Sequence, residues 1–193
     1  HRQSSAASDV YKRQVYGIDP DTGDIIWSKA VSGGGTQGGI HFGMASEGKT
    51  VYVPMNDMKD THDGKVWLNR KPGMHSLNSE NGKILWSSIT DKECKEIDIN
   101  CDPGISAAVT AIPGAVIAGH LDGMIRVYDK ENGEILWSFN SLGNYESISG
   151  TPASGGSFSG SGPSIRNGYM AINSGYGLYN HMPGNALLLF SIE

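Results

Sequence analysis

The sequence predicts an all-β fold: a partial β-propeller of about three and a half four-stranded antiparallel blades carrying tryptophan-docking repeats. Three observations lead there. Glycine supplies 27 of the 193 residues, without the G-X-Y period of collagen. The longest apolar run, Ala186 to Phe190, is far shorter than the ~18 residues a membrane-spanning helix needs. A pattern of Asp or Asn, then Gly, then Trp recurs three times in register.

The repeat is gapless. It reads Val15 to Trp27 (VYGIDPDTGDIIW), Met74 to Trp86 (MHSLNSENGKILW) and Arg126 to Trp137 (RVYDKENGEILW). Each copy has Asp or Asn eight residues before the Trp, Gly four before it, and two apolar residues immediately before it. Trp27, Trp86 and Trp137 stand 59 and 51 residues apart, a period that suits one propeller blade per repeat. Locally each copy is a β-hairpin. Short strands flank a polar turn in which Gly supplies the positive φ. The Trp closing each copy has a large flat ring to bury between blades and one N–H that needs an acceptor there.

With strands lettered A (innermost) to D (outermost), the elements follow in order. Val15–Ile18 and Ile25–Ala30 are C and D of a blade without its A and B. The second blade has A near Gly39–Ala45, B at Thr50–Pro54, C at Gly73–Leu77 and D at Ile84–Ser88. The third has A at Ser106–Ile112, B at Val116–Ala118, C at Met124–Tyr128 and D at Ile135–Phe139. The last has A near Ser159–Ile165, B at Tyr169–Asn173 and C at Ala186–Ile192, with no D. Residues 15–193 are thus expected to be the C-terminal part of a seven- or eight-bladed ring. Its open blade edges make the chain by itself inactive and prone to aggregate.

Residues 1–14 (HRQSSAASDVYKRQ) are polar, aperiodic and without the apolar core of a signal peptide. They are expected to be a non-native leader of the kind adaptor sequence leaves at a reading-frame edge, the alternative being a flexible natural terminus. Without them the net charge moves from −5 to −7. The basic residues cluster only at Lys12-Arg13 and Arg70-Lys71, which argues against a nucleic-acid footprint.

Loop lengths single out one face. The A–B and C–D turns are short, whereas the B–C and D–A segments (56–72, 175–183, 32–38, 90–105 and 140–158) are long and share the other face. Long loops on a rigid scaffold are where function concentrates. That face receives His41, His62, His120 and His181, while His75 falls inside a strand. Each of these is either a functional group or a satisfied hydrogen-bonding residue. No HxH, HExxH or CxxC spacing is present, so zinc is not expected. Cys94 and Cys101 lie in one long loop, as a disulfide in an oxidising compartment or as two free thiols. The glycine-rich stretches 32–39 and 154–162 lack the Gly-Lys-Ser/Thr ending of a phosphate loop. They are read as crowded starts of innermost strands. No nucleophile elbow is present to support a hydrolase.

These residues resemble the pyrroloquinoline-quinone (PQQ) alcohol dehydrogenases, in particular their polyvinyl-alcohol-dehydrogenase-like branch. The resemblance spans about 15–193. It rests on the Trp repeat, on Gly38 to Ala45 (GGIHFGMA) with Lys49 to Pro54 (KTVYVP), and on Gly119 to Trp137. The terminal Asn173 to Gly177 and Met182 to Phe190 add to it. The Trp repeat is shared with non-enzymatic propellers; the GGIHFG block is more specific.

The resemblance implies PQQ across the propeller mouth with calcium polarising it, a carboxylate base taking the hydroxyl proton, and hydride passing to the quinone. It implies an alcohol or polyol substrate, small or polymeric, and a cytochrome c-type acceptor in a periplasmic or secreted protein. His41 and Phe42, where the family usually has Asn and Trp, are implied to face the cofactor. Ser106 opens the next innermost strand toward it, and Tyr145 caps the ring. The alternative for all four is ordinary pore lining. The base and calcium ligands are expected in earlier blades. The other function class is a non-catalytic scaffold of the outer-membrane assembly lipoprotein type.

Overall fold

A computed structural model describes residues 5–9, 13–32, 38–57, 70–90, 102–176 and 181–191, and among these every regular element is a strand. The first sheet is β1 (Ser5–Asp9), β2 (Gln14–Ile18) and β3 (Ile25–Ala30), in that order. The second is β4 (Ala45–Glu47), β5 (Thr50–Met55), β6 (Gly73–Asn78) and β7 (Ile84–Ile89), paired in sequence order and antiparallel throughout. Next comes the short β8 (Ser106–Ala107). It is followed by the four-stranded β9 (Thr110–Ile112), β10 (Ala115–Gly119), β11 (Met124–Asp129) and β12 (Ile135–Asn140). A hairpin of β13 (Asn144–Glu146) and β14 (Pro152–Ser154) precedes β15 (Ser159–Gly160). The last sheet is β16 (Ser164–Arg166), β17 (Tyr169–Ser174) and β18 (Ala186–Ser191).

The repeat builds the same turn three times. Asp19, Asn78 and Asp129 each hold the turn with a side-chain oxygen that accepts the N–H two residues on. Their own carbonyls accept from Gly23, Gly82 and Gly133, all at positive φ. The closing Trp of one sheet then crosses to the turn of the next. Trp27 Nε1 donates to the Ser79 carbonyl and Trp86 Nε1 to that of Lys130, each at 2.9 Å. The expected acceptor for the indole N–H is therefore a backbone oxygen of the neighbouring blade.

The core lies between sheets. Val51, Val53 and Met55 of β5 join Val15, Val31, Ile40 and Leu77 on one side, with Trp27 against them. Tyr52, of opposite parity on the same strand, joins Met74, Trp86, Val116 and Tyr128 on the other. Strand β10 divides likewise, Val116 and Ala118 to one cluster and Ile117 to that of Ile125, Phe158 and Ile172. A strand buried on both faces loses its apolar–polar alternation, which is why β5 and β10 read as continuous apolar runs.

Several features depart from expectation, among them the second blade's innermost strand, foreseen near Gly39–Ala45 and found at Ala45–Glu47. Ser5–Asp9, expected outside the fold, pairs along β2, from Ser5 opposite Ile18 to Asp9 opposite Gln14. The edge of β2 offers unpaired backbone groups that an extended segment of any composition can satisfy. Arg13, expected in the same leader, is 1% exposed, and its Nε lies 2.9 Å from Asp57 Oδ1. The long innermost strands foreseen at 106–112 and 159–165 are each broken in two. Their first halves, β8 and β15, leave their own sheets and pair with each other in parallel, Ser159 beside Ser106 and Gly160 beside Ala107.

Candidate functional site

Successive blades open their innermost segments with the same backbone construction. The carbonyls of Gly39, Gly104 and Ser157 accept from the N–H groups of Asn56, Leu121 and Gly175. Counting two residues on from each acceptor gives His41, Ser106 and Ser159. Glycine permits this crowding: a Cβ on Gly104 would stand 2.0 Å from the Asn56 carbonyl oxygen, and one on Gly155 would stand 1.7 Å from that of Ser141. The crowding foreseen for the stretch 154–162 is therefore observed, while residues 33–37 of the stretch 32–39 lie outside the described residues. What crowds Gly104 and Gly155 is the neighbouring segments of the same chain.

Of the predicted site residues, the structure brings three together. His41 Nδ1 lies 3.1 Å from Ser106 Oγ, across the boundary between two blades. Phe42 sets its ring edge-on to the imidazole, centroids 5.7 Å apart. It does so from a left-handed backbone, φ 62°, and remains 54% exposed. A bulky residue held at positive φ is strained, and strain of this kind gathers at functional sites. Burial lowers the pKa of His41 below its ordinary value, and the nearby Arg13 charge lowers it further. A neutral imidazole with Ser106 on Nδ1 keeps Nε2 to donate or accept a second hydrogen bond.

Tyr145 belongs to a different neighbourhood. It sits on β13 opposite Ala153, and its hydroxyl donates to the Ser141 carbonyl at 2.8 Å. Burial raises its pKa. Beside it Asn144, Pro152, Ala153 and Ser154 line an open groove of about 370 Å³ together with Pro183, Gly184 and Asn185.

The other histidines divide. His120 is fully buried, with Nδ1 2.8 Å from the Pro103 carbonyl oxygen and Nε2 2.8 Å from the Tyr128 hydroxyl. His75 is equally buried, between Ser87 Oγ and the Lys71 carbonyl. Burial holds the pKa of both down to about 4. Both are satisfied core residues. His181 is half-buried, and burial first, then the His41 charge, lowers its pKa. His62, Cys94 and Cys101 lie outside the described residues. Among the described residues no three His, Cys, Asp or Glu side chains gather as a metal site. No helix among them is long and apolar enough to cross a membrane.

Sequence reasoning did not single out Ser159, which shares the construction of His41 and Ser106, and left His181 as one loop histidine among several. Aligning the inner-strand openings (Gly39-Ile40-His41, Gly104-Ile105-Ser106, Ser157-Phe158-Ser159) would have found the first. The second depends on a loop whose path no local pattern reveals.

Comparison with known proteins places these features. A family profile (PQQ_2) described as outer membrane protein assembly factor BamB matches residues 11–175. A polyvinylalcohol dehydrogenase of Pseudomonas sp. is 36% identical over 190 residues, covering 93% of this chain and 29% of that protein. The chain thus spans under a third of that relative's length. Among solved structures, quinohemoprotein alcohol dehydrogenase from Comamonas testosteroni superposes with a TM-score of 0.60 at 18% identity, over 90% of this chain and 28% of the other. BamB from Moraxella catarrhalis gives 0.56 at 16%, over 89% and 40%. Both structural likenesses are to propeller folds.

Proposed function

The chain belongs to the PQQ propeller family whose profile carries the BamB description, and from that premise we propose that it is part of a PQQ-dependent dehydrogenase of alcohols or polyols. The observation that carries this reading is the contact of His41 with Ser106 across two blades, beside the exposed ring of Phe42. The polyvinylalcohol dehydrogenase relative points to secondary alcohols, small or polymeric, as the substrate class.

The donor set fits one edge of a planar, oxygen-rich ligand. Phe42 offers an apolar surface, and the neutral His41 offers hydrogen bonding without the cost of burying a charge. Ser106 fixes the orientation of that imidazole. The Tyr145 ring is assigned to the far side of the mouth, its hydroxyl being already committed to Ser141. When bound, PQQ supplies the two-electron acceptor for alcohol oxidation. The calcium site and the base are assigned to the part of the relatives' length that this chain does not span. A cytochrome c-type acceptor and a periplasmic or secreted location complete the reading, with Cys94 and Cys101 as a disulfide consistent with that compartment.

The test is to add PQQ and calcium to the full-length protein and measure cofactor binding and dye reduction with secondary alcohols, including polyvinyl alcohol. Binding with turnover is expected; neither binding nor turnover overturns the reading. The family profile favours a second reading, a non-catalytic scaffold of the outer-membrane assembly type. That protein would ignore PQQ.

A further inference from the structure

We propose that Ser159 and His181 complete the mouth begun by His41 and Ser106, as further polar residues that contact the bound cofactor. The inference rests on the PQQ reading and adds two binding residues to it.

Ser159 follows from the repeat. It stands two residues after the carbonyl of Ser157, as Ser106 stands after Gly104 and His41 after Gly39. The parallel ladder sets it directly beside Ser106, and laterally paired residues of neighbouring strands present their side chains to the same face. Two further bonds continue the register beyond the ladder. Ala108 N donates to the Gly160 carbonyl at 2.9 Å, and Thr110 Oγ1 to that of Pro163 at 2.5 Å. The half-buried Ser159 thus continues a polar row that runs across three blades, His41 to Ser106 to Ser159.

His181 is brought to this row by a strap. Its neighbour Met182 donates its N–H to Ser157 Oγ at 3.0 Å and accepts from the Ser157 N–H at 2.9 Å. Farther along, Asn185 N donates to the Ser154 carbonyl, and Asn185 Oδ1 accepts from Ser154 N, each at 2.7 Å. Ser157 in turn donates its hydroxyl to the Leu121 carbonyl at 2.5 Å, so the strap is anchored to the neighbouring blade. These bonds hold residue 181 against the opening segment that carries Ser159. The depression of its pKa by His41 agrees with that placement. His41, Ser106 and Ser159, with His181 on the strap, are a set suited to a ligand rimmed with carboxylate and carbonyl oxygens.

The experiment is a PQQ titration of the full-length protein by equilibrium dialysis, alongside Ser159→Ala, His181→Ala and His181→Gln. Each alanine variant is expected to weaken binding about tenfold, the loss of one hydrogen bond to a charged group, with the melting temperature nearly unchanged. His181→Gln, which keeps a donor, should recover part of the loss; it carries the same measurement if His181→Ala does not fold. Wild-type binding with variants within twofold of it overturns this inference alone. A wild type that binds no PQQ overturns the proposed function and this inference with it. Independently of any ligand, NMR titration of His41→Gln should show the pKa of His181 rising. An unmoved value would overturn the juxtaposition itself.

Discussion

A Cβ built on Gly133 would stand 2.4 Å from Cε3 of Trp86, so the glycine of one blade's turn is the floor on which the tryptophan of the preceding blade lies. Gly82 stands in the same relation to Trp27, at 2.5 Å. The glycine therefore does two jobs in one position: it turns the chain at positive φ, and it admits an indole.

Those two jobs can be separated. Gly23 has the same positive φ, 78°, but nothing within 4 Å of a built Cβ. Gly23→Ala should cost only the left-handed backbone strain, about 1–2 kcal/mol. Gly82→Ala and Gly133→Ala should add an overpacking cost of roughly 1–3 kcal/mol. Denaturant unfolding of the three variants checks this, and equal losses at all three sites would refute it.

Acid should unfold the protein through its core. His75 and His120 have pKa values of about 4 when folded, against 6.5 for an ordinary histidine. Between those values the unfolded chain binds protons that the native state does not, so stability falls as pH drops from 6.5 to about 4 and then levels. The loss is on the order of 3 kcal/mol for each histidine. Denaturation midpoints across this range should show the slope, and His120→Gln should about halve it.

Tyr145 offers a ring without a free hydroxyl. Tyr145→Phe should leave PQQ affinity within about twofold and cost stability roughly 1 kcal/mol, the net worth of one hydrogen bond. Tyr145→Ala should weaken PQQ binding as well. Dialysis of the two variants separates ring from hydroxyl; a binding loss in Tyr145→Phe would reverse the assignment.

The proposed pairing of Cys94 with Cys101 is open to direct chemistry. Thiol titration of the oxidised, unfolded protein should find no free cysteine. Reduction should destabilise the fold by about 2 kcal/mol, the chain entropy of so short a loop.

The outer strands were the legible part of the sequence. Asp19, Gly23 and Trp27, with their counterparts, place β2, β3, β6, β7, β11 and β12 because a hairpin is specified within a dozen residues. The inner strands were legible only in position. Ser106–Ala107 leaves its own sheet to pair with Ser159–Gly160, more than fifty residues later, and no local alternation encodes such a partner. The site divides the same way. The block around His41 and Phe42 was visible as a motif, but the positive φ of Phe42 and the reach from His41 to Ser106 depend on how neighbouring blades meet. Likewise the burial of His120 is decided by Tyr128 and Pro103, which the fold brings to it.

The second and third blades touch at two distances from the axis. At the rim Trp86 hydrogen-bonds Lys130, and near the hub Val109 N donates to the Gly43 carbonyl at 3.3 Å. A plate pinned at one point can swing, whereas a plate pinned at two radii has its angle fixed. Torque applied at the loop face is then resisted by both pins. His41 and Ser106, beside the inner pin, thereby keep their spacing.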